Sequence, residues 1–399
     1  MPASRPRLAI IWLTVFVDLV GFGIVMPILP YYAQRFGAHG IGYGALLGAF
    51  SLMQFLATAL LGRLSDRIGR RPILLATMLL NAAGYVLFAF APFYWLLLLA
   101  RLVSGFAGGN ISAAQAYVAD ITTAEDRSKG MGLIGMAFGL GFIVGPGIGA
   151  AAAHFGHAAP GLVAAGLSLV NLVSAYLILP ESLRKEHRVA RALWPFGHMA
   201  VALAHPELRP LMLVWAIAPF AFAGYTVALP LWAGSTLGWK EKELGAFFIL
   251  VGVVAASVQG GLFRVLTRRF GDRALLIAGM LGMAAAIGIV PFLATSRALY
   301  FWTVVLAFSN SIMSPAAAGL VSTLAGANEQ GTVLGVAQSL SALGRFSGPA
   351  VVGVVYDSIT PKIAFVTAAV VMLVGWVASL GVVKSAVVDS ASGRSATVG

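Results

Sequence analysis

Two charged residues, Asp18 and Arg101, stand in long apolar stretches of this sequence, where a charge is costly. Burial in a medium of low dielectric favours the neutral form of a carboxyl group, so Asp18 is suited to take up and release a proton. Arg101 shares a helix face with Gly105 and Gly108, at spacings of four and three residues. A charge in the middle of a membrane helix costs at least about 2.5 kcal/mol, so Arg101 requires a partner or water. Both residues also allow a structural interpretation, in which Asp18 bonds a neighbouring helix and Arg101 braces the bundle.

A third charge within an apolar stretch, Arg345, allows three interpretations. It can attract an anionic substrate, pair with Asp18 across a central cavity, or extend its guanidinium group towards the membrane surface. The sequence alone does not separate these three interpretations.

The elements that carry these charges are predicted to be membrane-spanning helices. Apolar residues make up 59% of the 399 residues and charged residues only 10%, whereas soluble proteins carry about 25% charged residues. Since a helix needs roughly 20 apolar residues to cross the hydrocarbon core, the sequence predicts an all-α integral membrane protein with twelve spans. The predicted spans are Leu8–Leu29, Tyr43–Gly62, Pro72–Ala91, Tyr94–Ala119, Gly130–Ala153, Gly161–Leu179, Pro210–Ala233, Leu244–Leu266, Ala274–Ala294, Ala298–Leu324, Thr332–Tyr356 and Ile363–Val383.

The distribution of basic residues predicts the orientation in the membrane. Most of the 26 Lys and Arg residues lie in short connectors on the side of the N-terminus, and such residues favour the cytoplasmic side. Both termini are therefore predicted to be cytoplasmic, with the protein in the plasma (inner) membrane. The same clustering argues against nucleic acid, the partner that a net charge of +12 would suggest. The absence of cysteine excludes disulfides and thiolate chemistry.

An internal repeat predicts two similar halves. Gly69, in the loop after the second predicted span, matches Gly271 after the eighth, and Gly145-Pro146 is echoed by Gly348-Pro349. Repeats of this kind build transporters in which the substrate binds between two halves near the middle of the membrane. The predicted domains are two six-helix bundles, 1–180 and 210–383, a cytoplasmic connector, 181–209, and a disordered cytoplasmic tail, 384–399.

The loop between the second and third spans combines glycine, aspartate and arginine. Its motif residues are Gly62, Asp66, Arg67, Gly69, Arg70 and Arg71. This pattern resembles the signature loop of the major facilitator superfamily, in which glycines permit a tight turn and arginines hold the loop in the cytoplasm. The resemblance implies that Asp66 faces the N-terminal end of span eleven and latches the two halves in the outward-open state. It also implies that Asp120, with Arg127, pairs with this loop; the alternative is a loop that only anchors the topology.

Span five carries a glycine stripe and a proline, at Gly141, Gly145, Pro146 and Gly149. Glycines at this spacing let another backbone approach closely, and the proline bends the helix. The pattern resembles the antiporter motif of exporters in this superfamily, which is largely absent from its uptake symporters, and it departs from that motif at Ala150. The alternative is a packing stripe without a role in direction, since such stripes are common in membrane helices.

Over essentially the whole chain, the sequence resembles the twelve-span drug:proton antiporters, and tetracycline exporters in particular. That resemblance implies the major facilitator fold, with two pseudo-symmetric six-helix bundles and alternating access. It also implies that Asp18 carries the proton and that Arg101 tunes its protonation. Two departures matter, because tetracycline exporters carry acidic residues where this chain has Gly84 and, in helix nine, the region of Met283. A less charged and more lipophilic substrate than a metal–tetracycline complex is therefore expected.

The predicted function is proton-coupled export of small lipophilic or amphipathic compounds, as in multidrug or tetracycline-like efflux. The predicted substrate-binding residues are Phe22, Met26, Gln54, Asn110, Phe138, Tyr225, Met313 and Arg345. For each aromatic or methionine side chain among them, packing or lipid contact is the alternative. At the level of the whole protein, the alternatives are an uptake symporter and a sugar or metabolite exporter of the same fold.

Other classes of function find no support in the sequence. No nucleophile–base pair or phosphate-binding loop is recognisable, so neither an intramembrane enzyme nor an ATP-driven pump is expected. No cofactor or metal is predicted. The predicted partners are a small-molecule substrate, protons and the lipid bilayer, with no nucleic acid, and the protein is expected to be a monomer.

Overall fold

The part of the chain that the structure describes is helical. The computed structural model describes residues 5–122, 137, 140–141, 144–183, 206–324 and 330–391, and these residues form no strand. Helices suit a membrane because they satisfy every backbone N–H and C=O group within one segment. Nine helical segments among these residues are long and apolar enough to cross a membrane. The predicted all-α integral membrane class is therefore confirmed.

The helices are numbered here in chain order. They are α1 (Arg5–Val25), α2 (Leu29–Arg35), α3 (Gly40–Ile68), α4 (Arg70–Ala89), α5 (Tyr94–Ala107), α6 (Ile111–Ile121), α7 (Val144–Ala153), α8 (Ala159–Ile178), α9 (Arg209–Leu237), α10 (Glu241–Ser257), α11 (Phe263–Ile289), α12 (Ser296–Leu324), α13 (Gln330–Ser358) and α14 (Pro361–Ala391). A short 3₁₀ turn, Gly108–Asn110, joins α5 to α6, and a π-helical turn, Val258–Leu262, joins α10 to α11.

Most helices lie where the sequence predicts spans, with three differences in their bounds. The first span ends at Val25 rather than Leu29, because Pro27 and Pro30 interrupt it and α2 begins afresh at Leu29. Helix runs from Glu241 to Phe292 with a break at Gly271, so the two spans predicted there meet at this glycine rather than across a longer loop. The last helix runs on to Ala391, beyond the predicted end of span twelve. Only part of predicted span five lies among the described residues, so the count of twelve spans stays a prediction.

Two glycines turn the chain between successive spans, and they hold matching positions in the repeat. Gly69 ends α3 with φ 125° and ψ 155°, and Gly271 bends α11 with φ 77° and ψ 158°. Backbone in this region is essentially restricted to glycine, because a Cβ atom would collide with its own backbone. The repeat seen in the sequence is therefore present in the backbone as well.

Helices before residue 184 pack mainly on one another, and so do the helices after residue 205. In the N-terminal part, α3 packs on α5, while α4 packs on both α5 and α8. In the C-terminal part, α9 packs on α13 and α14, while α11 packs on α12 and α14. The broadest contact between the two parts is that of α3 with α13. The functional residues of both parts are thus positioned relative to one another through this helix pair.

Candidate functional site

Asp18 of α1 accepts hydrogen bonds from amide groups on two other elements. Asn81 of α4 donates Nδ2–H to Oδ1 at 3.2 Å, and Asn110, between α5 and α6, donates Nδ2–H to Oδ2 at 2.7 Å. No Lys, Arg or His side chain forms an ion pair with Asp18 in the described ranges. Amide donors hold the carboxylate in place without adding charge, so the group can gain or lose a proton without breaking a salt bridge. Asn81 was not among the predicted site residues, although an amide within an apolar span was a signal for it.

Arg101 of α5 is held by aromatic rings rather than by a carboxylate. Its side chain is buried, and its Cζ lies 4.5 Å from the ring centroid of Phe50 and 5.7 Å from that of Phe22. Nε donates a long hydrogen bond, 3.5 Å, to the carbonyl oxygen of Leu46. Within the described part of the chain, Nη2 has no hydrogen-bond partner. Burial of this charge costs free energy. Cation–π contacts, which are worth about 2 kcal/mol when desolvated, offset part of that cost.

Tyr85 of α4 connects the environments of Asp18 and Arg101. It lies near Asn81, which holds Asp18, and close enough to both charges to interact with each. Gly21 provides the space, because a Cβ atom at that position would lie 2.5 Å from the tyrosine Oη. The predicted influence of Arg101 on Asp18 stays a prediction, and the two residues form no ion pair with each other in this structure.

The glycine stripe of predicted span five packs on the segment of α1 that follows Asp18. A Cβ atom at Gly141 would lie 2.6 Å from Cβ of Leu19, and one at Gly145 would lie 2.6 Å from the carbonyl oxygen of Val20. Gly149 approaches the backbone of the same helix one turn further on. The close backbone approach predicted from these glycines is therefore present, whereas their meaning for the direction of transport stays a prediction.

A similar packing of span on span occurs in both parts of the molecule. Pro146 contacts Gly23 on α1, where a Cβ atom would lie 2.9 Å from the proline Cδ. At the matching place in α13, Gly344 and Gly348 lie against the backbone of α9 around Phe220. Spans five and eleven therefore use the same device to approach spans one and seven.

Arg70 gathers the polar contacts of the loop between α3 and α4. Its Nη1 lies 2.5 Å from Oδ1 of Asp66 and donates to Oγ of Ser65 at 2.6 Å. Its Nε donates to Oδ2 of Asp120 at 3.2 Å, and its backbone N–H donates to Oε1 of Glu181 at 2.9 Å. The loop is thereby fastened to the ends of α6 and α8. Glu181 was not among the predicted switch residues.

The other residues of the predicted switch lie around this cluster. Arg71 donates Nη2–H to the carbonyl oxygen of Tyr176 at 2.7 Å. The carbonyl oxygen of Gly62 accepts a hydrogen bond from Ser65 Oγ, and the side chain of Arg67 is exposed. The structure brings Asp120 to the loop, as predicted. Asp66 pairs within the loop, and its predicted contact with span eleven is not among the recorded contacts of the described residues. Arg127 lies outside the described residues.

At the opposite end of α3, a carboxylate from the C-terminal part binds the helix N-terminus. Asp357, at the end of α13, accepts from the backbone N–H of Gly40 at 2.8 Å and of Ile41 at 2.6 Å. One turn further along, Gly44 lies against the carbonyl group of Pro349. This contact was not predicted from the sequence, although glycines spaced by four at the start of α3 were a signal for close packing.

Further hydrogen bonds between the two parts lie at the same end of the molecule. Tyr31 donates to the carbonyl oxygen of Trp239 at 3.2 Å, and Tyr43 donates to that of Thr226 at 3.4 Å. We call this the Gly40 end, and the opposite end, with Arg70, the Gly69 end. Among the described residues, the N-terminal and C-terminal parts are hydrogen-bonded to each other at the Gly40 end.

The predicted substrate-binding residues are placed in different surroundings. Three of them lie near Asp18. Phe22 contacts Arg101, and Asn110 donates to the Asp18 carboxylate. Gln54 donates to the carbonyl oxygen of Gly108 at 3.2 Å. Met26, Tyr225 and Met313 are buried, Tyr225 against Phe365 and Met313 against Gly279. Phe138 lies outside the described residues. The structure therefore gathers the predicted residues around Asp18, but not those of the C-terminal part.

Arg345 does not pair with Asp18 in this structure. Its Nη1 donates to Oγ of Ser341 at 2.6 Å, and the carboxylate of Asp18 accepts from its two amide donors instead. One of the three interpretations left open by the sequence is thus excluded for this conformation.

Sequence comparison relates the chain to known transporters. The family model of the Major Facilitator Superfamily matches residues 11–268 and again residues 262–396. The chain is 33% identical to the class C tetracycline resistance protein of Escherichia coli over 361 residues, which cover 88% of this chain and 90% of that protein. It is 29% identical to multidrug resistance protein 2 of Bacillus subtilis, over 90% of this chain and 91% of that protein.

Solved structures of the same architecture are similar over nearly the whole chain. The human organic anion transporter MFSD10 shares 25% identity, with a TM-score of 0.71, over 95% of this chain and 100% of that one. A bacterial homologue of the human lysosomal transporter Spinster has a TM-score of 0.77 at 14% identity, over 96% of this chain and 98% of that one. The second likeness concerns the fold alone.

Proposed function

The chain belongs to the Major Facilitator Superfamily, and from this membership we propose that it is a proton-coupled antiporter that exports small lipophilic or amphipathic compounds. Members of this family are multi-pass membrane proteins that transport small molecules and are not enzymes. This protein is likewise a membrane transporter and not an enzyme. The relatives named for tetracycline and multidrug resistance support export of drugs. The proposal adds the proton as the coupling ion and names the residues that handle it.

The observation that carries the proposal is the environment of Asp18. A carboxylate inside a membrane span is expensive, and it is retained where protons or substrates pass. Asp18 has amide donors from two other elements and no basic ion-pair partner in the described part of the chain. Both its protonation states can be accommodated, since the amides turn or lengthen their bonds as the charge changes. In the proposed cycle, Asp18 takes a proton from outside and releases it to the cytoplasm.

The orientation and the transport cycle form part of the proposal. The basic loop that contains Arg70 is assigned to the cytoplasm of a cell with this protein in its plasma (inner) membrane, and both termini follow it. The contacts of the Gly40 end, Asp357 among them, then close the outer side. The bundles formed by residues 1–180 and 210–383 exchange between this arrangement and its opposite, while one monomer forms the whole pathway.

Two buried positions support a substrate other than a cationic metal–tetracycline complex. Gly84 lies directly against Ser104, which leaves no room for a longer side chain. Met283 is fully buried. Neither position supplies the acidic group that tetracycline exporters have in these helices. An uncharged or anionic amphipathic compound therefore fits this chain better than a cation.

The proposal is tested by measuring proton release from inverted vesicles when lipophilic drugs are added. Wild-type vesicles with an imposed proton gradient are expected to release protons on addition of a substrate, and vesicles with Asp18→Asn are not. Arg297→Gln, at an exposed position in the first turn of α12, is the control for changing one charge. Proton release that survives in Asp18→Asn would move the proton site to another residue. Proton movement in the opposite direction would indicate a symporter, and no response to any compound would reject drug export.

A further inference from the structure

Arg345 carries a positive charge in the middle of α13 and has no acidic partner among the described residues. Among the described residues, its side chain donates to the hydroxyl group of Ser341, which uses one of five guanidinium N–H donors. In the described part of the chain, four of its N–H donors are therefore left for water or a ligand.

The position of Arg345 on its helix directs it to the junction between the two parts of the molecule. Gly344 and Gly348 of α13 lie against α9, whereas Phe346 and Pro349 lie against α3. Each residue of a helix is turned by about 100° from the one before it. Arg345 consequently lies between the face that meets the C-terminal α9 and the face that meets the N-terminal α3. A ligand in contact with it would touch both parts, as a transported substrate must.

The charges within the spans favour an anion. Arg101 and Arg345 are cations placed well inside the spans, and Asp18 is the carboxylate placed there, so the net charge of these three residues is positive whether Asp18 is protonated or not. The guanidinium of Arg101 is already enclosed by the rings of Phe22 and Phe50. Arg345 retains most of its donors, and it presents them in the fork that matches a carboxylate, sulfonate or phosphate group.

We propose that Arg345 binds the anionic head group of the substrate, and that the substrate class is amphipathic organic anions. The inference rests on the proposed export function and specifies its substrate. The apolar body of such a compound would contact the side chains of the surrounding spans, and its head group would complete the hydrogen bonds that Ser341 leaves unmade. A small molecule of this kind needs no metal ion to balance its charge.

The test compares three probes that share one aromatic body and differ in head group: naphthylacetate, naphthylacetamide and naphthylethylamine. Binding to the purified full-length protein is measured by equilibrium dialysis, for wild type, Arg345→Gln, Arg345→Lys and the control Arg297→Gln. Wild type and the control are expected to bind the carboxylate about 10- to 100-fold more tightly than the amide. Arg345→Gln is expected to lose this preference, and Arg345→Lys to keep part of it.

Two results would overturn the proposal: equal binding of carboxylate and amide by wild type, or an undiminished preference for carboxylate in Arg345→Gln. The first needs no variant, so it holds even where Arg345→Gln fails to fold. The proposed export function is judged separately, by proton release from inverted vesicles with neutral lipophilic drugs, for wild type and Asp18→Asn. A protein that releases protons with those drugs but does not prefer the carboxylate retains the export function without the anion site.

Discussion

At the scale of single residues, the chain places charges inside the membrane with different kinds of support. Asp18 has amide donors, Arg101 has aromatic faces and Arg345 has a hydroxyl group. None of the three forms an ion pair with another among the described residues. A buried ion pair would hold both partners in one state, whereas separate neutral supports leave each charge free to respond to a proton or a ligand. This separation suits a transporter better than a structural brace.

The first prediction concerns coupling at Asp18. In Asp18→Asn the side chain cannot carry a proton, but the path for the substrate is retained. Exchange of labelled substrate across the membrane at equal concentrations is therefore expected to continue, while accumulation against a gradient is lost. Asp18→Glu, which restores a carboxyl group, is expected to recover part of the accumulation. Loss of both exchange and accumulation in Asp18→Asn would assign the residue to substrate binding or folding instead.

A second prediction follows from the backbone of Gly69. Its φ of 125° is essentially restricted to glycine, so Gly69→Ala is expected to lower the stability of the protein by about 1–3 kcal/mol. The matched control is Gly166→Ala, in the exposed face of α8, where an added Cβ atom meets nothing within 4 Å. Thermal unfolding in detergent compares the two variants. Equal unfolding temperatures would show that the loop relaxes without cost.

At the scale of helices and loops, the contact of span five with α1 is limited by backbone atoms. A Cβ atom at Gly145 would lie 2.6 Å from the carbonyl oxygen of Val20 and 2.7 Å from Cα of Gly23. Neither atom can move without shifting the helix that carries Asp18. Gly145→Ala is therefore expected to cost about 1–3 kcal/mol in stability and to reduce transport.

The control for this third prediction lies two residues further along the same helix. A Cβ atom at Gly147 would meet the end of the flexible Ile249 side chain at 3.4 Å, which is ordinary contact. Gly147→Ala is expected to transport and unfold like the wild type. Similar losses in both variants would point to a general effect of alanine on α7, and not to contact with α1.

A fourth prediction concerns the loop that Arg70 fastens. This side chain binds Asp66, Ser65 and Asp120 in different directions, an arrangement that the fork of an arginine meets and a lysine does not. Arg70→Lys is therefore expected to cost roughly 1.5–3 kcal/mol in stability, because a charged hydrogen bond is left unmade. Arg67→Lys, at the exposed neighbouring position, is expected to leave the unfolding temperature unchanged. A destabilisation of the same size in both variants would contradict the specific role of Arg70.

Local patterns predicted the helices and the tight turns, because apolar length and glycine position act within a few residues of the chain. The spans, the turns at Gly69 and Gly271, and the close packing of the glycine stripe followed from such patterns. The contacts of Asn81, Glu181 and Asp357 did not, since each joins helices that are distant in sequence. Which turn of one helix meets which turn of another depends on the register of packing, and no local pattern determines that register.

At the scale of the whole molecule, the two parts are joined by hydrogen bonds at the Gly40 end. Asp357 contributes a negative charge to the N-terminus of α3, where unpaired backbone N–H groups and the helix dipole favour an anion. The resemblance of the loop motif implied such a latch at the other end, between Asp66 and span eleven. In this conformation α3 and α13 are instead latched at the Gly40 end. A transporter that alternates between two states needs contacts at each end that can break while the other set forms.

The fifth prediction is that Asp357→Asn weakens closure of the Gly40 end. An amide keeps the shape of the side chain but loses the negative charge, so this conformation is expected to lose about 0.5–2 kcal/mol relative to its opposite. Such a loss changes the ratio of the two states by roughly 2- to 30-fold. Because the chain has no cysteine, spin labels can be placed at Phe93 and Ile359, two exposed residues in the two parts, and their distance distribution measured. The longer distance between the labels is expected to gain population in Asp357→Asn and not in the control Ser358→Ala. Identical distance distributions in wild type and Asp357→Asn would show that the glycine contacts of α3 and α13 close this end without the carboxylate.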